Sequence, residues 1–233
     1  MSKSLFVTGT GTGVGKTFAA ALILRKLHSE GLNAAYFKAA MSGNRRDENG
    51  RLLPGDALYV KKISGIRQPL ESMCPYVYET AVSPHLAAKR EGNPVELDHV
   101  LRNYDSLCRR YDWVVTEGSG GIVCPLRDDH QKIGLEDFVH LRRLSCLIVA
   151  DAGLGTINAV VLTAEYMNVR HLSVKGIIFN RYEKGNFLHE DNLRMCEAIT
   201  GIKVVAAVAE DASELDVPCE SLQKLFHENG DLR

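Results

Sequence analysis

A chain of 233 residues with 45% hydrophobic and 24% charged side chains can bury a sizeable core, which excludes a disordered chain, a collagen and a disulfide mini-protein. Its 28 Lys and Arg against 29 Asp and Glu leave a formal charge of −1, so no broad basic footprint is offered to nucleic acid or to an anionic membrane. Small acidic ligands stay open, because one local cluster of donors suffices for them. The six cysteines contain no CxxC pair, and several sit in apolar runs such as Ser145-Cys146-Leu147-Ile148-Val149; buried, reduced thiols in a cytoplasmic protein are expected, not a zinc site. The segment Met1 to Val7 turns to Thr and Gly too soon for a signal peptide, and no apolar run approaches the ~20 residues that span a bilayer.

In chain order, Leu5-Phe6-Val7-Thr8 has the composition of a strand, followed by a Gly-rich turn and an apolar helix from about Lys16 to Glu30 that Gly31 ends. Ala34 to Lys38 is the next strand. The stretch from about 41 to 84 is irregular and carries much of the proline, with one or two helical turns at Asp56 to Ile63. Helices are expected at Ser83–Glu91 and Leu97–Arg110, before a strand at Trp113–Thr116. The second half repeats the rhythm: helix Leu135–Leu144, strand Cys146–Ala150, helix Thr156–Asn168, strand Val174–Phe179, helix Asp191–Ile199, strand Val204–Val208 and helix Pro218–His227. Glu228 to Arg233 has the character of a frayed end. Strands apolar on both faces, separated by helices and with no linker between halves, predict one α/β domain over residues 1–233, a doubly wound, mostly parallel sheet covered on both faces. Ligands of such sheets gather beyond the carboxyl ends of the strands.

The first strand runs into Gly9-Thr10-Gly11-Thr12-Gly13-Val14-Gly15-Lys16-Thr17. Glycines let successive N–H groups turn inward on an anion, and the following helix aims its positive end at the same point. Lys16 can reach the terminal phosphates of a nucleotide, and the Thr17 hydroxyl is placed for Mg²⁺. The loop is a variant, with Thr10 where the G-x-x-x-x-G-K-[ST] pattern has Gly. At the second strand end, Lys38 would supply another ammonium to a transferring phosphoryl group, with Ser42 in the same turn. Asp56 is a lone carboxylate near a helix start, where a capping role would suffice for it. Glu117, at the end of its strand, and Asp151, at the end of another, compete for a second carboxylate role. Gly153 to Asn158 opens a helix whose amino end would receive an anion, or is a plain capped terminus.

Taken together in order, the phosphate loop, Lys38 to Gly43, Gly55-Asp56-Ala57, Ser83-Pro84-His85, Glu117-Gly118-Ser119-Gly120-Gly121 with Pro125-Leu126, and Gly153 to Asn158 resemble the dethiobiotin synthetase family. The resemblance covers about the first 180 residues well and the rest weakly. It implies ATP- and Mg²⁺-dependent carboxylation of 7,8-diaminopelargonic acid with CO₂ and ring closure to dethiobiotin, through a carbamate and a carbamic-phosphoric mixed anhydride, without a covalent enzyme intermediate. On matching positions Lys38 is catalytic with Lys16 beside it, while Thr17, Asp56 and Glu117 hold Mg²⁺, which demotes Asp151. Gly13, Val14, Gly15, Lys16, Thr17, Phe18, Glu117, Gly118, Ser119, Gly120 and Asn180 line the nucleotide. Thr12 and Ser42 meet the diamine or carbamate. A homodimer is implied, with Gly155, Thr156, Ile157 and Asn158 receiving the substrate carboxylate across the interface. Ala39 stands where the family usually has Pro, and Arg181 where Asp usually follows Asn180, so a relaxed choice of nucleotide is expected. The alternatives are a phosphate-loop switch ATPase or GTPase, an ATP-dependent amide synthase, and a regulatory paralogue that binds nucleotide without turnover.

Overall fold

The computed structural model describes residues 2–228. In chain order the elements are β1 (Lys3–Gly9), α1 (Lys16–Ser29), β2 (Ala34–Lys38), β3 (Ala40–Met41), β4 (Arg45–Arg46), β5 (Leu52–Leu53), α2 (Gly55–Ser64), β6 (Tyr76–Val77), α3 (Pro84–Glu91), α4 (Leu97–Cys108) and β7 (Trp113–Glu117). They continue with β8 (Pro125–Asp128), β9 (Lys132–Gly134), α5 (Leu135–Leu141), β10 (Ser145–Asp151), α6 (Thr156–Val169), β11 (Val174–Asn180), α7 (Phe187–Thr200), β12 (Val204–Val208), α8 (Cys219–Gln223) and β13 (His227–Glu228). The main sheet runs β12-β11-β10-β1-β7-β2, all parallel, and β13 adds antiparallel to the start of β1.

The side-chain alternation of each strand builds two cores, one per face. Leu5 and Val7 of β1 join Ala20, Leu24 and Leu27 of α1 on one side, while Phe6 packs with Tyr104 of α4 and Phe138 of α5 on the other. The mostly parallel sheet with helices on both faces is the expected fold class.

Four local expectations are corrected. The stretch from 41 to 84 is less irregular than its prolines implied: Ala40–Met41 pairs with Tyr76–Val77, Arg45–Arg46 with Leu52–Leu53, and α2 fills ten residues. The helix expected at Asp191 starts at Phe187, because the Asn186 side chain accepts from the Leu188 N–H and caps it. The closing helix is only Cys219–Gln223, and His227–Glu228 instead pairs with Ser4 and Lys3, so Glu228 is not frayed. Residues 229–233, the remainder of that expectation, and Met1 lie outside the described residues. None of the six cysteines, all described, forms a disulfide. No helix among the described residues is long and apolar enough to cross a membrane.

Candidate active site

The carboxyl ends of β1, β7 and β2 meet around a cavity of about 820 Å³. Its floor is the loop between β1 and α1. Gly13 has φ 79 and Gly15 φ 98, the left-handed region that side chains disfavour. At Gly15 the close approach is tighter still: a Cβ there would lie 2.1 Å from Asn180 Nδ2. Asn180 donates from that nitrogen to the Val14 carbonyl at 3.1 Å, so the tip of β11 braces the loop from behind. The loop leads into the 14-residue α1, whose first turn has no acidic residue to oppose a bound anion.

Register brings the charged groups together. Lys38 pairs with Glu117 across β2 and β7, so both side chains leave the sheet at the same level and on the same face. Lys38 Nζ donates to Glu117 Oε1 at 2.6 Å and to Asp56 Oδ2 at 2.7 Å. Thr17 Oγ1 donates to the same Glu117 Oε1 at 2.8 Å. Lys16 Nζ bonds the Gly11 carbonyl at 2.7 Å. Asp56 is thus not a cap; it lies in the first turn of α2 behind Pro54 and turns its carboxylate to Lys38. Burial works against the Lys38 ammonium, but Glu117 and Asp56 outweigh it and hold the group charged well above the usual lysine range. Lys16 is pulled below that range, first by burial and then by Lys38, against an opposing pull from Glu117.

Asp56 and Glu117 each give one oxygen to Lys38 Nζ, and the Thr17 hydroxyl meets the same Glu117 oxygen. A hydroxyl and two carboxylates are hard donors that suit a small divalent cation such as Mg²⁺. Among the described residues no three His, Cys, Asp or Glu side chains converge as a metal cage, so a cation here would rest on two carboxylates and a hydroxyl.

Of the residues singled out in the sequence, Thr12, Gly13, Gly15, Lys16, Thr17, Phe18, Lys38, Ser42, Asp56, Glu117, Ser119 and Gly120 all line this cavity. Val14, Gly118 and Asn180 stand behind its wall: a Cβ on Gly118 would meet Phe6 Cζ at 2.9 Å. Gly155, Thr156, Ile157 and Asn158 do not line it; they form the start of α6, where Gly155 caps with φ 89 and the buried Thr156 Oγ1 has no partner among the described residues. Asp151 is engaged by Arg181, which also donates to the Gly13 carbonyl and sits 3.7 Å from Glu210.

Several contributors were not foreseen. Tyr59 and Cys124 line the cavity, joined by Ser83 and Pro84 of the Ser83-Pro84-His85 motif, to which no role had been given. Burial pushes the Cys124 thiol up to about 11 despite Lys38 and Lys16, so it stays protonated and is no ready nucleophile. Asn44, buried, donates to the carbonyls of Met41 and Tyr78 and accepts from Gly55 N–H, tying the Ser42 turn to the start of α2. Tyr36 lies two residues before Lys38 on the same strand face and donates its hydroxyl to Glu117 Oε2 at 2.7 Å. Burial and Glu117 raise that phenol well above its ordinary value, so it remains a donor. The i, i+2 spacing of Tyr36 and Lys38 was the available signal.

A family model described as "AAA domain" matches residues 3–214. The chain is 43% identical over 227 residues to an ATP-dependent dethiobiotin synthetase of Brachyspira hyodysenteriae, covering 97% of this chain and all of that one. It is 46% identical to one of Clostridium kluyveri, over 88% of this chain and 85% of that one, and 41% identical to one of Clostridium perfringens, over 93% and 96%. Among solved structures, the MinC:MinD cell division complex of Aquifex aeolicus matches at 14% identity with a TM-score of 0.57, covering 96% of this chain and 86% of that one. The signal recognition particle receptor FtsY of Elizabethkingia anophelis matches at 13% identity and TM-score 0.53, over 97% of this chain and 65% of that one. At such identity the likeness is one of fold.

Proposed function

The chain belongs to the AAA-domain family and, within it, to the ATP-dependent dethiobiotin synthetases, and from that premise we propose how its residues share the reaction. The activity is ATP-dependent dethiobiotin synthesis in the making of biotin. The substrate in this reading is 7,8-diaminopelargonic acid. One amine adds to CO₂ and loses a proton, giving a carbamate. A carbamate oxygen attacks the γ-phosphorus of ATP, forming the mixed anhydride and releasing ADP. The second amine then attacks the carbamoyl carbon, expels phosphate and loses a proton, closing the cyclic urea.

The observation that carries this reading is the meeting of Lys38 with Thr17, Asp56 and Glu117 beside the phosphate loop. Lys38 would neutralise charge gathering between carbamate and phosphoryl oxygens, and Lys16 the phosphate side. Loop N–H groups from Gly13 to Thr17, with Phe18, Ser119 and Gly120 nearby, would seat the triphosphate. Thr17, Asp56 and Glu117 would hold Mg²⁺, which when bound offsets phosphate charge. Thr12 and Ser42 would contact the diamine; Ser42 Oγ already donates to Val82 O at 2.5 Å, so its lone pairs face an incoming amine or water. Asn180 Oδ1, buried behind the loop and without a partner among the described residues, would be the acceptor left for the nucleotide.

Because Gly155 to Asn158 stand outside the cavity, their proposed carboxylate-binding role needs a second copy of the chain, in line with a homodimer. The test is phosphate release with diaminopelargonate, bicarbonate and ATP, each omitted in turn. Release that requires all three, with labelled CO₂ entering a cyclic urea, is expected. Release that continues without diamine would make the chain a free-running ATPase.

A further inference from the structure

Glu117 has its two oxygens committed to different neighbours. Oε1 faces Thr17 and Lys38, while Oε2 accepts the Tyr36 hydroxyl at 2.7 Å, and both Glu117 and Tyr36 are buried. Tyr36 is itself fixed along its backbone. Its N–H donates to Gln68 Oε1 at 2.7 Å and its carbonyl accepts from Gln68 Nε2 at 3.0 Å, so one buried amide holds the outer side of β2. Gln68 is steadied in turn by Ser72 Oγ at 3.1 Å.

A carboxylate can give a cation one oxygen or two. Ca²⁺ accepts bidentate carboxylates at long, flexible distances, whereas Mg²⁺ demands a small octahedron of single oxygens. The Tyr36 hydroxyl takes one lone pair of Oε2 and holds that oxygen turned to its own side, so Oε1 is the oxygen that Glu117 presents towards Thr17 and Lys38. We propose that Tyr36 is a positioning residue that keeps Glu117 a one-oxygen ligand and so makes the site discriminate Mg²⁺ from Ca²⁺. This rests on the reading of Glu117 as a metal ligand. Tyr36 does not line the cavity; it acts through the carboxylate, as outer partners of metal ligands do.

The experiment compares wild type, Tyr36→Phe and Glu117→Gln as full-length chains, titrating Mg²⁺ and then Ca²⁺ calorimetrically into the protein–ADP complex. ADP affinity in EDTA and thermal unfolding are measured alongside. In Tyr36→Phe the Mg²⁺-to-Ca²⁺ affinity ratio is expected to fall about tenfold or more, with ADP affinity in EDTA unchanged. A role confined to packing would lower the melting temperature and leave that ratio alone. An unchanged ratio in Tyr36→Phe beside weakened Mg²⁺ binding in Glu117→Gln overturns the proposal and spares the metal reading. Mg²⁺ binding unchanged in Glu117→Gln as well removes both. Should Tyr36→Phe fail to fold, Gln68→Ala releases the tyrosine backbone; a ratio that falls there supports the proposal, and one that does not move overturns it.

Discussion

Replacing Lys38 by Met removes the ammonium bonded to both Glu117 and Asp56 while keeping a stem of similar length. Asp56 is about two-fifths exposed and can turn to water, so its share of the loss is small. Glu117 is 1% exposed and cannot. Breaking a buried pair by deleting one partner costs about 3–5 kcal/mol. The retained donors from Tyr36 and Thr17 put Glu117 at the lower end, about 3 kcal/mol. With a urea m-value of roughly 3 kcal/mol/M, the unfolding midpoint in EDTA should drop by about 1 M. Adding Glu117→Gln to the variant removes the stranded charge, so the double variant should regain part of that loss. Turnover should fall about 10²–10³-fold, the usual loss when one charge-stabilising donor is deleted, with ATP affinity little changed. A midpoint equal to wild type, or a double variant that loses the full sum of the two single changes, would refute the electrostatic account. An unchanged rate would take Lys38 out of the chemistry.

Gly15→Ala combines a left-handed backbone with a Cβ driven into Asn180, so a loss of about 2–3 kcal/mol in stability and at least about tenfold in ATP affinity is expected, read by denaturation and by nucleotide titration. Asn44→Ala strands the Gly55 N–H and frees the Ser42 turn; a loss of about 2 kcal/mol with a raised KM for the diamine should appear in unfolding and steady-state assays. For pH, a lysine whose ammonium is disfavoured by the fold gives up its proton below the ordinary value of about 10.4, so phosphate attraction by Lys16 is present at lower pH and fades as pH rises through that depressed value. The alkaline limb of kcat/KM, which reports free-enzyme groups, should therefore lie below the ordinary lysine value and move upward in Lys16→Arg. Lys38, shifted the other way, should not contribute to it. Arg181, occupied by Asp151 and Gly13 O and unable to accept from a base, leads to the expectation that rates with ATP, CTP and GTP differ by less than about tenfold, or roughly 1.4 kcal/mol; a strong ATP preference in side-by-side rates would overturn it.

The parts legible in the sequence were those where one physical demand dominates. Runs such as Leu147-Ile148-Val149-Ala150 must be buried on both faces, and that alone implies helices above and below. The Gly-rich loop with Lys16 and Thr17 signals its chemistry through backbone freedom, and Lys38 and Glu117 through their places at strand ends. What stayed hidden depended on distant neighbours. Two-residue ladders such as Arg45–Arg46 with Leu52–Leu53 are too short for alternation to register. Tyr36, in Ala34 to Lys38, has the look of a core aromatic, and only the register of β2 against β7 shows that its polar end meets Glu117. Glu117 and Asp151 looked alike as strand-end carboxylates; the structure gives them different partners, Lys38 and Arg181, residues 79 and 30 positions away.

The outer side of β2 also bears on assembly. An exposed strand margin is a template on which another chain can crystallise its own backbone, and proteins guard against that. Here the guard is a single glutamine at Tyr36, continued by the Met73 carbonyl that takes the Lys38 N–H. With those valences spent, neither the Tyr36 backbone nor the Lys38 N–H is left for a second molecule to pair with. A ladder laid along this flank would have to displace Gln68 first, so the margin nearest the reacting groups is a poor place for another copy to attach.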